Sequence, residues 1–107
     1  MIAKTPKPPY YVVIFSNLRT DDDENYSDTS DRMLELAAQQ PGYLGVEHAR
    51  DELGITLSYW ADLESIRMWK EHSEHVLARN MGRSRWYKQF MTRIARVERD
   101  YGFEKET

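Results

Sequence analysis

The segment YYVVIF near the N-terminus is a run of aromatic and β-branched residues of the kind found in β-strands. Successive side chains of a strand point to opposite faces of the sheet. Both faces of this strand are therefore apolar, with Val12 and Ile14 on one and Tyr11, Val13 and Phe15 on the other. We expect both sides of the sheet to be covered, and a single layer of helices covers only one of them.

A first helix is predicted after this strand. Residues with helical spacing run from Tyr26 to Gln40, and the pair Pro41-Gly42 ends the run. The preceding segment TDDDENYSD has too little apolar content to pack. We read it as a solvated loop or a lead into the helix, because clustered carboxylates without a loop motif rarely form a metal site.

Residues 43–50 and 55–61 predict an antiparallel hairpin whose turn, DELG, uses Gly54 for a positive φ. Asp62 then has the character of an N-cap. It begins a helical pattern that fits either one helix or two successive helices, with Gly82 as the stop.

For the C-terminal segment, the residue pattern does not decide between a helix and a strand. Its large apolar residues, Trp86, Phe90, Ile94, Val97 and Tyr101, fit helical spacing better than strict alternation. A strand requires a bulge between Ile94 and Val97. Such a bulge would place these residues on a common face: Ala95, Val97, Arg99, Tyr101 and Phe103.

Length and composition limit the classes of function. A chain of 107 residues forms one domain, and its net charge of -3 argues against a nucleic-acid partner. With no cysteine, there is no disulfide, thiolate nucleophile or cysteine-ligated metal, and we expect a cytoplasmic protein. The N-terminal apolar run is short and lacks a cleavage pattern, so we expect no membrane association.

All three tryptophans and two of the three histidines fall within residues 58–103, together with many arginines. Aromatic side chains offer large apolar faces, and guanidinium groups hold anions. If these groups converge, they suit a flat, partly charged ligand.

Three segments, PGYLGVEHARD, SYWADLESIRMW and GRSRWY, carry a family resemblance through their order and spacing. The chain resembles the antibiotic biosynthesis monooxygenase family over residues 10–103, preceded by an extended lead at 1–9 and followed by a tail at 104–107. The resemblance implies an α+β domain with a ferredoxin-like antiparallel sheet and helices on one face. It also implies that the C-terminal segment is a strand, and that a second copy packs sheet against sheet to form a homodimeric α/β barrel.

The resemblance further implies oxygenation of a hydrophobic, aromatic small molecule without flavin or metal. Such a substrate must itself supply the electrons, so the protein has to deprotonate it, bury the carbanion and admit oxygen. The family also includes haem-degrading proteins and proteins without known activity. A haem-binding protein or a non-catalytic small-molecule-binding dimer is therefore the alternative.

The haem-degrading branch uses an asparagine on the first strand, a tryptophan on the second helix and an axial histidine further along that helix. Asn17 and Trp69 match the first two, but the axial position carries Arg79. A guanidinium has no lone pair for iron. His75 could replace that histidine only if the helix breaks near Ser73-Glu74.

The candidate catalytic residues are His75 as a base, Asn17 to hold an oxygen and Trp69 as a wall. Four further residues are candidates for substrate binding: Tyr87, Arg79, Arg83 and Trp60. Simpler roles stay open, because tryptophans at such positions commonly fill the core, Asn17 could cap a turn, and His75 could lie on the surface. His72 and His75 have the spacing of zinc ligands but no third ligand, so we predict no metal site.

Overall fold

The computed structural model describes residues 1–106, except for the side chain of Ser73. The strands are β1 (Tyr10–Arg19), β2 (Tyr43–Arg50), β3 (Leu53–Trp60) and β4 (Tyr87–Val97). The helices are α1 (Tyr26–Ala38), α2 (Leu63–Glu71) and α3 (Ser73–Met81), and a π-helical turn at Gly82–Trp86 leads into β4. The strand order is β2-β3-β1-β4 with every pair antiparallel, which confirms the predicted ferredoxin-like α+β fold.

The core lies between the sheet and the helices. Trp60 at the end of β3 is completely buried, and it packs with Ala37 of α1 and Ile66 of α2. Tyr11 and Val13 of β1 contact this cluster, so the odd-numbered residues of β1 face the helices. We call this face the helix side of the sheet.

The opposite face of the sheet, which we call the open face, carries exposed apolar side chains. Ile14 of β1 pairs with Leu57 of β3, and directly paired residues share a face. Along the same face Leu53, Ile55 and Met91 are 48%, 37% and 50% exposed. Both faces of β1 are apolar, and the helices cover only one of them, as expected for a single layer of helices.

The N-terminal lead, residues 1–9, covers one end of the open face. The Ala3 amide donates to Glu47 Oε2 at 2.9 Å, and the Thr5 hydroxyl donates to the Tyr10 hydroxyl at 2.9 Å. Most of the apolar open face lies beyond this segment. In the part of the chain described here, no helix has the length and apolar character needed to cross a bilayer.

Local signals explain the boundaries of α2. The Asp62 carboxylate accepts a hydrogen bond from the Ser65 amide at 2.7 Å, which confirms the predicted N-cap. The helix ends at His72, whose ψ of 133° is extended. The chain then starts a second helix, α3, so the two-helix alternative is the one observed.

Of two glycine predictions, the one for Gly54 is wrong and the one for Gly82 is confirmed. The hairpin is confirmed, but its turn lies at Asp51 and Glu52, and Gly54 is a buried residue within β3 without a positive φ. Gly82 is the C-cap of α3, which ends at Met81 as predicted, and its own φ and ψ of -58° and -48° stay helical and lead into the π-helical turn. At both positions glycine is needed because a neighbouring side chain fills the space of its missing Cβ, and neither glycine has a positive φ.

The C-terminal segment forms the strand β4. The strand that the family resemblance implies is therefore confirmed, and the helix that the residue spacing indicates does not form. The bulge predicted between Ile94 and Val97 is wrong, because the only register shift between β1 and β4 lies at Leu18/Arg19. The strand ends at Val97. Arg99, Tyr101 and Phe103 therefore lie beyond the sheet, and the two aromatic residues are each 90% exposed.

Gly42→Ala should destabilise the fold. Gly42 has a φ of 82°, where a residue with a Cβ costs about 1–2 kcal/mol, and that Cβ would lie 2.6 Å from Ser65 Cβ. We expect urea denaturation to show a loss of at least about 1 kcal/mol. The control is Gly102→Ala, whose added Cβ meets nothing within 4 Å. Equal stability of the two variants would contradict this packing.

Candidate functional site

Most of the predicted site residues lie on the helix side of the sheet, in two groups. The first, the tryptophan–histidine cluster, consists of Trp69, His72, His75 and Arg79 on α2, α3 and the break between them. The second, the Asn17–Arg50 cluster, consists of Asn17, Arg50, Phe15, Tyr87 and Phe90 on three strands.

The break at His72 shapes the tryptophan–histidine cluster. The Trp69 carbonyl at the end of α2 accepts from the His72 amide at 3.1 Å. The His75 ring stacks on the Trp69 indole with centroids 4.5 Å apart and planes 11° apart, and His75 Nδ1 lies 3.0 Å from the Trp69 carbonyl oxygen. Trp69 also connects the cluster to the core, because its ring stacks on that of Trp60 with centroids 6.4 Å apart.

These contacts assign the tautomer of His75. A carbonyl oxygen only accepts, so Nδ1 is the nitrogen that donates its proton to Trp69. In the neutral ring Nε2 then keeps its lone pair. Burial lowers the pKa of His75, and the positive charges of Arg79 and His72 act in the same direction. His75 is therefore a neutral imidazole at pH 7, with Nε2 able to accept a proton.

Two buried polar atoms beside this stack have no hydrogen-bond partner among the described residues. They are Nδ1 of His72 and Nε of Arg79. Most buried polar groups in folded proteins are paired, since an unpaired one costs about 1–3 kcal/mol. A few polar groups placed among aromatic side chains are a feature of sites that bind a small molecule.

The Asn17–Arg50 cluster is built on one row of the sheet. Gly54 of β3 pairs with Asn17 of β1 on one side and with Arg50 of β2 on the other. The Arg50 side chain lies across Gly54 and donates from Nη2 to Asn17 Oδ1. A Cβ at Gly54 would lie 2.6 Å from Arg50 Nη1, so this contact requires glycine. Asn17 is buried within the strand, away from any turn, with 3% of its surface exposed.

Aromatic rings flank this polar pair. The Phe15 ring lies 5.3 Å from that of Tyr87 and 5.6 Å from that of Phe90. The Tyr87 hydroxyl lies 3.4 Å from the Tyr26 hydroxyl, and burial raises the pKa of Tyr87, so its phenol stays neutral at pH 7. The exposed Arg83 places its guanidinium 5.7 Å from the Phe90 ring centroid.

Trp60 differs from the other candidates because it exposes no surface. Its indole Nε1 donates to Ser58 Oγ at 2.9 Å, and its rings contact Tyr43 and Trp69. Within residues 1–106 no group of three or more His, Cys, Asp or Glu side chains has the geometry to hold a metal ion.

Sequence reasoning missed Arg50, Phe15 and Phe90. Phe15 and Asn17 share a face by strand alternation, which is a readable signal. The contact of Arg50 with Asn17 depends on the register of three strands and on the glycine between them.

The structure defines a ferredoxin-like α+β protein with two aromatic, cation-bearing clusters, one on α2 and α3 and one on the sheet. The family model described as antibiotic biosynthesis monooxygenase matches residues 9–80. The chain belongs to this family.

The chain is also similar to a curated relative in sequence and to solved structures in fold. The chain is 47% identical to the uncharacterized protein YqjZ of Bacillus subtilis (strain 168), over 99% of this chain and 95% of that one. It is similar in fold to SnoaB, a cofactor-independent oxygenase from Streptomyces nogalater, with a TM-score of 0.69 at 10% identity, covering 92% of this chain and 100% of SnoaB. Rv0793 from Mycobacterium tuberculosis gives a TM-score of 0.74 at 8% identity, covering 88% and 99%.

The residues present do not fit haem in the manner of the haem-degrading branch. The position expected for the axial histidine carries Arg79, whose guanidinium only donates. The helix break that the sequence analysis requires for His75 is present at His72, and the bond from Nδ1 to the Trp69 carbonyl leaves the lone pair on Nε2.

Folding stability should depend on pH through His75. Its pKa lies below 6.5 in the folded chain and returns to that value on unfolding. Between these two pKa values the unfolded chain binds more protons than the folded one. The stability that the neutral His75 contributes is therefore complete above pH 6.5, and it is lost as the pH falls from 6.5 to the folded-state pKa. Thermal unfolding from about pH 7.5 to 5 should show a smaller loss for His75→Gln than for wild type.

The control for this measurement is His48→Gln, because His48 is an exposed residue on β2. It should follow the wild-type profile. A His75→Gln variant with the same pH profile as wild type would contradict the assigned burial of a neutral imidazole.

Proposed function

We propose that this protein is a monooxygenase that oxygenates a hydrophobic, aromatic small molecule without flavin or metal. The single observation that carries the proposal is the neutral His75, stacked on Trp69 with the lone pair of Nε2 available, beside Arg79 Nε, which has no partner among residues 1–106 as described. Family membership supports the reaction type. SnoaB, which shares the fold, is a cofactor-independent oxygenase.

The proposed mechanism begins with proton transfer. His75 Nε2 accepts a proton from the activated CH₂ of a phenolic substrate such as an anthrone, and the substrate becomes a carbanion delocalised over its rings. Trp69 and Tyr87 form the walls that keep water away from it. Arg79 and Asn17 supply N–H donors for the negative charge on the substrate oxygen, which lowers the barrier to deprotonation.

The electrons for oxygen activation come from the substrate anion. The anion transfers an electron to O₂, and the two recombine as a peroxide on the former CH₂ carbon. Loss of water then leaves a carbonyl, so one oxygen atom enters the product and the other leaves as water. His75, now protonated, returns its proton during this elimination.

We further propose that the protein acts as a cytoplasmic homodimer. The exposed Leu53, Ile55 and Met91 form an apolar open face, and such a face usually marks an interface. A second copy presents the same face, and sheet-on-sheet packing is a common way to bury it. The cysteine-free sequence supports the compartment.

Oxygen uptake on a panel of anthrones and quinols tests the enzyme activity. Wild type should consume oxygen with at least one of these substrates, and His75→Ala should lower the rate by about 10²–10⁴-fold because the general base is lost. The control His48→Ala should retain the wild-type rate, since His48 is exposed and outside both clusters.

The outcomes distinguish the enzyme from its main alternative. Equal rates for wild type and His75→Ala would remove His75 from the mechanism. No uptake with any substrate, together with a ligand-induced rise of the melting temperature, would instead identify a non-catalytic small-molecule-binding dimer.

The dimer proposal predicts a monomer when the open face is charged. Ile55→Lys places an ammonium group on this face, so sedimentation at micromolar concentration should show a monomer, whereas wild type should sediment as a dimer. The control Leu63→Lys alters another exposed leucine, 54% exposed at the start of α2, and should remain dimeric. A monomeric wild-type protein would contradict the proposal.

A further inference from the structure

Arg50 differs from the other bonded arginines in its partner. Arg19, Arg32, Arg67 and Arg85 each form an ion pair with a carboxylate. Arg50 forms no ion pair with the described residues, and its hydrogen bond goes to the neutral amide oxygen of Asn17. The hairpin acids Asp51 and Glu52, although adjacent in sequence, do not pair with it.

The neighbours of this guanidinium do not supply a negative charge. Asn17 is 3% exposed, Gly54 beneath the side chain is buried, and Tyr87 stays neutral because burial raises its pKa. The charge of Arg50 therefore lies over a buried part of the sheet without a counter-ion among the described residues. Arg50 itself is exposed, so an anion reaches its guanidinium from solvent, and water partly screens their attraction.

The Arg50 guanidinium offers only donors. A guanidinium has five N–H groups and no acceptor, and Arg50 uses one nitrogen for Asn17. The same bond uses one of the two lone pairs of Asn17 Oδ1, and the Asn17 NH₂ remains for the substrate oxygen in the mechanism proposed above. A planar carboxylate matches the fork of an arginine with two parallel hydrogen bonds.

The surroundings of this donor pair are aromatic. Asn17 pairs with Phe90 across β1 and β4, and Phe15 lies two residues before Asn17 on the same face. The rings of Phe15, Phe90 and Tyr87 are 5.3–6.1 Å apart and form a continuous apolar surface beside the donors. A ligand that satisfies both parts has an aromatic body and an acidic group.

We propose that Arg50, held against Asn17 across Gly54, is an anion-binding residue that selects an aromatic carboxylate as the ligand of the site. This deepens the proposed function, on which it rests, by naming the class of substrate. Arg50 binds the carboxylate at the strand end of the site, while the reacting carbon lies toward His75 and Trp69.

The test compares two probes that share one ring system. Anthracene-2-carboxylate is anionic at pH 7, and anthracene-2-methanol is neutral and of similar size. Fluorescence titration of the full-length wild-type protein should show that the carboxylate binds about tenfold tighter or more, which is the size expected for hydrogen bonds to a charged group. Arg50→Met should lose this preference while its affinity for the neutral probe stays the same.

The matched control is Arg67→Met. Arg67 is an exposed arginine of α2 that pairs with Glu64 and Glu71, so its loss should leave the preference of the site intact. Circular dichroism and the melting temperature check that each variant folds. The comparison of the two probes in wild type does not depend on any variant.

Each outcome bears on a separate part of the proposal. Equal affinity of wild type for the two probes overturns the selection of an anion but leaves the aromatic site standing. A carboxylate preference that persists in Arg50→Met overturns the role of Arg50. Binding of neither probe to wild type contradicts the aromatic site of the proposed function itself, and this inference with it.

Discussion

The site depends on one interruption of the backbone, at His72. Trp69 and His75 are six residues apart, about one and two-thirds turns of a helix, so on a continuous helix they would point in different directions. The extended ψ of His72 ends α2 and redirects the chain. The same interruption leaves the Trp69 carbonyl without a helical partner, and His72 and His75 both donate to it. One break therefore positions the ring, selects its tautomer and partly buries it.

A second constraint acts on the sheet. Arg50, Gly54 and Asn17 occupy one row across β2, β3 and β1, and the glycine is the reason that the outer residue reaches the inner one. Gly82 plays a similar part near α3, since a Cβ there would lie 2.9 Å from the Tyr87 ring. Both glycines act through the space that they leave. Each cluster thus depends on one or two residues that shape the backbone or leave space, namely the break at His72 and the glycines Gly54 and Gly82.

Periodicity and capping were enough to predict β1, α1, the hairpin and the start of α2. They failed for β4, because its large residues happen to repeat at helical spacing and only pairing with β1 makes the segment a strand. The resemblance to the family pointed to Asn17 and Trp69, whereas Arg50 could not be found, because its contact depends on the register of non-adjacent residues. His75 stayed conditional in the sequence, because no residue pattern fixes a helix break at His72.

The central claim is that His75 is a neutral imidazole with its proton on Nδ1. Long-range ¹H–¹⁵N NMR spectra of uniformly ¹⁵N-labelled protein at pH 7 distinguish the protonated nitrogen of each histidine ring from the unprotonated one. Assignment by comparison with His75→Gln identifies the relevant signals. We expect a protonated Nδ1 and an unprotonated Nε2. A ring with the proton on Nε2, or a doubly protonated imidazolium, would contradict the account.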